Sequence, residues 1–290
     1  MSSSALIAQI GINGLSLGAI YILVALGFTL IFGIMRIVNF AHGEFAMLGG
    51  FATLFWFTTL GLPFLPALAA GAITVGASGL VLERVVYRHF YQREMPGMIA
   101  TLGLSVALTS SGVWLWGPYQ RSIPSAFTDI CSFGSVVISQ DRVVVVLVAA
   151  VTLCLFWALL QFSRIGLAMR AVAQDIEIAE AQGMDTRLVY RTAFFVATVM
   201  AALAGGLLSQ LYALSPFIGQ MPLTKGFIVV ILGGLGSIPG AALGGLLLGM
   251  SESILSTLYG ASIAQFASFG GIILLLLWRP NGLLGRFGRA

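Results

Sequence analysis

Charge is scarce in this sequence. Of its 290 residues only 8% are Asp, Glu, Lys or Arg, against roughly a quarter in an average soluble domain. Fourteen basic and ten acidic side chains cannot supply the polar surface that a soluble fold of this length requires. A soluble enzyme, a disordered chain and a coiled coil are excluded on that ground. Hydrophobic residues make up 59% of the chain, and the 36 glycines sit inside apolar runs, where membrane helices tolerate them.

The scarcity extends to the residues that carry chemistry. Lys225 is the sole lysine and is followed by Gly226, so a GxxxxGK[ST] phosphate loop is impossible and ATP cannot be held that way. Two histidines, His42 and His89, lie far apart with no HExxH, so zinc catalysis and a Ser-His-Asp triad lack support. Cys131 and Cys154 show no metal-ligand spacing, and Cys154 lies in the apolar run that begins at Val143. No disulfide between them, no metal site and no GxGxxG dinucleotide loop is expected. The formal charge of +4 comes without a basic stripe, so nucleic acid is not a partner. No enzyme is visible, and any energy source must be an ion gradient or another subunit.

What the sequence has instead is long apolar runs. A hydrocarbon core of about 30 Å needs about 20 apolar residues per helical crossing. Eight segments qualify: Ile7–Phe32, Phe45–Leu60, Leu65–Leu82, Met98–Trp116, Val143–Phe162, Ala193–Leu214, Gly226–Leu258 and Ile263–Trp278. The N-terminus lacks a signal peptide's basic region and its apolar run is too long for one, so it reads as a retained membrane segment. Helix is the default because lipid cannot satisfy backbone polar groups. The fold class is therefore all-α and polytopic, with residues 1–290 forming one membrane domain.

Arginine sets the orientation. Glu83–Pro96 holds Arg84, Arg88 and Arg93; Ser163–Thr192 holds Arg164, Arg170, Arg187 and Arg191; the tail from Arg279 adds Arg286 and Arg289. These three segments are cytoplasmic, and the arginine-poor Gly117–Arg142 and Ser215–Lys225 are external. The count fails at the C-terminal end if each apolar run is one crossing, because the tail would then emerge outside. Gly226–Leu258 is longer than one crossing needs and contains Gly233, Gly234, Gly236, Ser237, Pro239 and Gly240. A break there, made by glycine and proline, restores the parity if the chain dips in and returns. A kink packed between helices and a break lining a pathway both fit that pattern.

A second break gathers Arg36, Asn39, His42 and Glu44 between two apolar runs with no conventional loop. Such groups inside a bilayer face a water-filled path or one another; a short surface turn with Arg36 snorkelling is the alternative. Glycines follow both breaks, at Gly49-Gly50 and Gly244-Gly245, which makes a pseudo-repeat conceivable. The cytoplasmic stretch 163–192 carries Met169, Val172, Ile176 and Ala179 at helical spacing, with Asp175, Glu177 and Glu180 as an acidic rim. Gly183 is a plausible stop, and Asp185 or Thr186 a plausible cap for the next helix. An acidic amphipathic helix of this kind suits a groove in a soluble partner better than an anionic membrane surface.

Four motifs, in order, carry a family resemblance: Asn39-Phe40-Ala41-His42-Gly43-Glu44 after Leu30–Gly33; Arg170–Asp175 with Ala179 and Gly183–Thr186; Leu232–Gly240 with Ala241–Gly249; and Arg279-Pro280-Asn281-Gly282-Leu283-Leu284-Gly285. From about Gly14 to Gly285 the chain resembles the LivH-type permease subunits of branched-chain amino acid ABC importers. The resemblance implies a multi-pass bacterial inner-membrane protein that binds no cofactor itself. Its implied partners are a longer LivM-like permease, two cytoplasmic ATPases holding ATP and Mg, and an external substrate-binding protein. It further implies that Ala171–Gly183 couples to the ATPases, with Val172, Asp175, Ile176, Glu177, Ala179 and Glu180 in that segment and Arg170 immediately before it. Arg36, Asn39, His42, Glu44 and the Gly233–Gly240 break would border the path. Importers of urea, short amides and other small solutes use similar permeases. An autonomous channel or ion-coupled transporter would need intramembrane carboxylates, for which Glu44 and Glu252 are the candidates. The external loop Pro118–Gln140, with Asp129 and Cys131, departs from the family pattern.

Overall fold

A computed structural model describes residues 3–124, 130–133 and 136–284. Asp129 and the tail residues Gly285, Arg286 and Arg289 fall outside these residues. Among the described residues the chain forms α1 (Ser3–Met35), α2 (His42–Leu54), α3 (Phe64–Val85), α4 (Glu94–Trp116), α5 (Gln140–Phe162), α6 (Arg164–Gln174), α7 (Ile176–Ala181), α8 (Thr186–Leu208), α9 (Gln220–Gly233), α10 (Ile238–Tyr259) and α11 (Ala261–Trp278). The fold is all-α and polytopic. Its one non-helical addition is a hairpin in the loop 117–142, β1 (Ile130–Phe133) against β2 (Val136–Ser139), with Ile130 opposite Ser139.

Seven of these helices are long and apolar enough to cross a membrane, and α9 is apolar but shorter. The chain is a multi-pass membrane protein. Helix α1 is apolar all round and buried along most of its length, as befits a central helix. It packs antiparallel to α10, with Ser253 donating to the Ile10 carbonyl at 2.7 Å. Glycines bring the two backbones together: a Cβ on Gly18 would lie 3.0 Å from the Gly245 carbonyl oxygen. Without a hydrophobic force between helices in lipid, such small-residue contacts supply the packing.

The apolar runs are not all separate crossings of one kind. The Gln92 amide donates to the Met35 carbonyl at 3.3 Å, so α1 ends on the face that holds Glu83–Pro96. From there residues 36–41 run back without helix until His42 meets the Val24 carbonyl, 3.1 Å away and three turns up α1. Helix α2 starts at that depth, continues through a π-helical turn at Phe55–Thr59 and completes the return crossing. The second half of the chain repeats this in the opposite sense. Helix α8 leaves the arginine-rich face, and Leu214 pairs with Arg121 of the opposite loop through amide–carbonyl bonds of 2.7 and 2.8 Å. The chain then descends irregularly to Gly219, beside Gly43, and α9 carries it to the arginine-rich face. Each broken crossing is an irregular strand followed by a half-helix.

With α9 as a crossing, the tail emerges on the arginine-rich face, and the parity problem disappears. One sequence assignment is corrected. Ser215–Lys225 is not an external loop throughout, because Gln220–Lys225 already belongs to α9 and Lys225 is only 4% exposed. Its single charge is neutralised inside the protein and says nothing about orientation.

Candidate functional site

The first break is built by one strained residue and a set of buried polar partners. Arg36 closes α1 with φ of +57°, the left-handed region that an arginine enters at some cost. Its amide still bonds the Phe32 carbonyl at 3.0 Å, so the helix ends there and the chain turns. The irregular segment then has to satisfy its backbone without water. Asn39 Oδ1 accepts from the Ala41 amide at 3.0 Å and from the Tyr87 hydroxyl at 2.7 Å. Thr101 of α4 accepts from the Phe40 amide at 3.2 Å and donates to the Val38 carbonyl at 3.1 Å. Thr101 of α4, and Tyr87 of the short 3-10 turn after α3 acting through Asn39, thus replace the missing helical bonds.

His42 and Glu44 occupy the first turn of α2, and both are buried. A carbonyl can only accept, so in its contact with the Val24 oxygen the His42 Nε2 carries the proton. Nδ1 is buried without a hydrogen-bond partner, and the ring meets Phe28 edge-on at 5.9 Å. Glu44 Oε1 accepts from the Ser105 hydroxyl at 3.1 Å, while Oε2 is buried with no hydrogen bond. That oxygen faces the start of α9, since a Cβ on Gly219 would lie 2.8 Å from it and 2.7 Å from the Gly43 carbonyl oxygen. Two half-helix N-termini therefore meet at Gly43 and Gly219. Each presents a positive dipole end, and a carboxyl group stands between them.

A charge pair lies further along α9. Lys225 Nζ is 2.9 Å from Glu252 Oε1 of α10, and the Tyr21 hydroxyl of α1 donates to Glu252 Oε2 at 3.0 Å. Glu252 is visible in the sequence as an intramembrane carboxylate but its partner is not, and no sequence pattern marks Gly219, Tyr87, Thr101 or Ser105.

The second break lies at a different place. Gly234 and Gly236 have φ of +101° and +79°, Ser237 caps α10 by accepting from the Gly240 amide at 3.1 Å, and Pro239 fits the first turn. A Cβ on Gly233 would collide with Gly240. The tail closes over this turn: the Leu283 and Leu284 amides donate to the Leu232 and Gly233 carbonyls at 2.8 and 3.0 Å. Gly233, Gly234, Gly236, Ser237 and Pro239 thus form the α9–α10 turn on the arginine-rich face. They do not meet His42 and Glu44, which sit at the opposite end of α9.

What the second break does meet is the segment 163–192. A small recess is lined by Gly33 and Ile34 of α1, Met169 and Arg170 of α6, and Gly236 and Ile238. The expected single helix there is two. Asp175 interrupts it with φ of −155° and caps α7 by accepting from the Ile178 amide at 3.0 Å. Val172 and Ala179 are buried, Ala171 and Ile176 half-buried, and Arg170, Asp175, Glu177, Glu180 and Gly183 exposed. The apolar stripe therefore packs onto the chain itself, and the polar rim faces outward. Gly183, with φ of +79°, and Asp185, which accepts from the Arg187 and Leu188 amides at 3.0 and 3.2 Å, form the stop and the cap before α8.

No group of three or more metal-ligating side chains is found among the described residues. The spacing Gly14-Leu15-Ser16-Leu17-Gly18 matches GxSxG but is helical throughout, and Ser16 donates to the Ile12 carbonyl at 2.8 Å. It lacks the sharp strand-to-helix turn of a nucleophile elbow.

Two broken crossings that abut at Gly43 and Gly219 inside a multi-pass helical body are the architecture of a membrane permease. The chain belongs to the family described as branched-chain amino acid transport system / permease component, which matches residues 10–278. It is similar to the high-affinity branched-chain amino acid transport system permease protein BraD of Pseudomonas aeruginosa, 34% identical over 95% of this chain and 94% of that protein. The corresponding LivH of Escherichia coli K12 is also 34% identical, over 94% of each chain. LivM of the same organism is more distant, 25% identical over 93% of this chain and 68% of LivM.

Proposed function

We propose that this chain is a permease subunit of a bacterial inner-membrane ABC importer that moves branched-chain, apolar amino acids into the cytoplasm. ATP and Mg would be held by two cytoplasmic ATPase subunits, substrate delivered by an external binding protein, and the path completed by a LivM-like permease in a heterodimer. No catalytic step falls to this chain. The relatives' transport role and their coverage of nearly the whole chain support the reading.

The observation that carries the coupling is the recess where α6, the end of α1 and the α9–α10 turn meet. In this reading Asp175, Glu177 and Glu180 sit in an ATPase groove while Met169 and Val172 anchor α6 to the permease body. A displacement of α6 then passes directly to Gly236 at one end of α9, and through that helix to Gly219, Gly43 and Glu44 at the other. The broken crossings would move about their meeting point, opening the path to one side at a time. An ion-coupled transporter would have to rely on Glu44 alone, because Glu252 is already neutralised by Lys225.

Reconstitution tests it. Leucine uptake by the assembled importer should require ATP and both permeases, and excess valine or isoleucine should compete where urea and acetamide do not. Flux through this chain alone, without ATPases, would sink the proposal; competition by urea alone would move it to another solute class.

A further inference from the structure

Among the described residues, Arg36 and Gln92 are the non-glycines with left-handed backbone, at φ of +57° and +59°. They are remote in sequence and meet in space. An α-helix leaves its last carbonyls without intrahelical partners, and α1 ends at Arg36 without the glycine that commonly closes a helix. Gln92 supplies the missing partners from outside. Its backbone amide donates to the Met35 carbonyl at 3.3 Å, and its side-chain amide donates to the Ile34 carbonyl at 3.4 Å. The same side-chain nitrogen donates to the Tyr190 hydroxyl of α8 at 3.1 Å. The two contacts with α1 are at the long end of the hydrogen-bond range, and the contact with Tyr190 is the firmest of the three. One residue thus holds the end of α1 against α8.

Glutamine is an unexpected occupant of this position. Glycine and asparagine enter the left-handed region at least cost, and Gln92 is exposed, so packing does not impose a long side chain. Glycine would keep the backbone bond to Met35 and lose both side-chain bonds. What glutamine adds is the reach to Tyr190. That hydroxyl belongs to a buried ring, packed against Tyr91 with ring centroids 4.3 Å apart. One turn earlier on α8, the Thr186 hydroxyl donates to Glu180 of α7 at 2.9 Å. A run of direct contacts therefore leads from the acidic rim of α7, through the first turns of α8, to the two carbonyls that precede Arg36.

The recess at Gly236 joins the α6–α7 segment to the second break, and this run joins it to the first. Beyond Arg36, residues 38–41 are held through Thr101 and Asn39, so the course of the chain at Arg36 sets where that irregular segment and His42 lie. We propose that Gln92 is a positioning residue for transport, tying the end of α1 to α8 so that movement of α7 and α8 turns the first broken crossing at Arg36. This rests on the proposed role as an ATP-driven permease subunit, in which α6–α7 is the driven segment. Without the Gln92 side chain α1 keeps its own helical bonds and the bond from the Arg36 amide to Phe32, but its end no longer follows α8.

Two measurements on the full-length chain assembled with its partner subunits test this. Hydrogen–deuterium exchange of the resting complex needs no transport, and Gln92→Gly should speed exchange of the amides in residues 34–41 by about fivefold. Glycine relieves the left-handed strain while losing the side-chain bonds, so the melting temperature should change little. In proteoliposomes, leucine taken up per ATP hydrolysed should fall by about fivefold in the same variant. Tyr190→Phe removes the hydroxyl and keeps the ring, and should lower that ratio to a similar extent. The double variant should be no worse than either single, because both break one link. Should Gln92→Gly fail to assemble, Gln92→Glu, equal in shape but without the amide donor, takes its place beside Tyr190→Phe. Faster exchange with a wild-type uptake ratio would make Gln92 a structural cap only and overturn the proposal. Unchanged exchange would overturn it too, as would losses that multiply in the double variant. Leucine uptake by the wild type without ATP would instead overturn the importer reading, and the exchange measurement would still report whether Gln92 holds α1.

Discussion

Lys225 and Glu252 pair at 2.9 Å inside the helical body, with Tyr21 completing the carboxylate's bonds. Leaving one member of a buried pair costs about 3–5 kcal/mol, whereas replacing both by apolar groups of similar size is often neutral. Lys225→Met alone should therefore lower the detergent-solubilised melting temperature sharply. Lys225→Met with Glu252→Met should recover most of the loss, and a double variant no better than the single would refute the pairing. At Gly43 the limit is steric rather than electrostatic. A Cβ there meets the Gly219 carbonyl oxygen and the Leu223 side chain, so Gly43→Ala forces the two half-helices apart. The expected outcome is normal membrane insertion with lost uptake, measured by transport in cells at matched expression.

At the scale of elements, the α6–α7 segment shows how far a sequence pattern reaches. Met169, Val172, Ile176 and Ala179 at helical spacing correctly mark the side that becomes wholly or partly buried. The pattern does not show that the helix breaks at Asp175, because a capping aspartate leaves the apolar period intact while its own backbone goes extended. The exposed rim of the two helices carries Asp175, Glu177 and Glu180. Reversing those three charges should uncouple ATP hydrolysis from uptake while the permease still inserts and assembles; normal coupled uptake would show that the outer rim is not the ATPase contact. The breaks themselves were legible because Gly233–Gly240 and Arg36–Glu44 put glycine, proline and polar groups where a crossing should be apolar. Their depth was not. Nothing local to Gly219 or Gln220 distinguishes a helix that begins in mid-membrane from one that begins at its surface. The residue that shows it, Gly43, is far away in the chain.

On the scale of the whole molecule, α1 organises two halves of opposite sense. One half-helix starts from each irregular strand, and both start at the same depth, against each other. Long, peripheral α4, α5 and α11 leave most of their surface uncovered, as expected of helices that face lipid or a second permease. The loops that the arginine count groups together lie at one end of the helical body, and the count erred at Lys225 because that charge is internal.

That error has a practical side. A chain whose sequence holds one lysine, only 4% exposed, offers amine-reactive reagents almost nothing but its N-terminus. Acylation of Lys225 would thus act as a chemical clock for the parting of α9 from α10. Purified protein at rest should be modified slowly at this position, and turnover with ATP should speed it if the half-helix leaves Glu252 during each cycle. Peptide mass spectrometry of the labelled chain reads this directly, without any engineered probe. A rate independent of turnover would mean that α9 and α10 travel together as one piece.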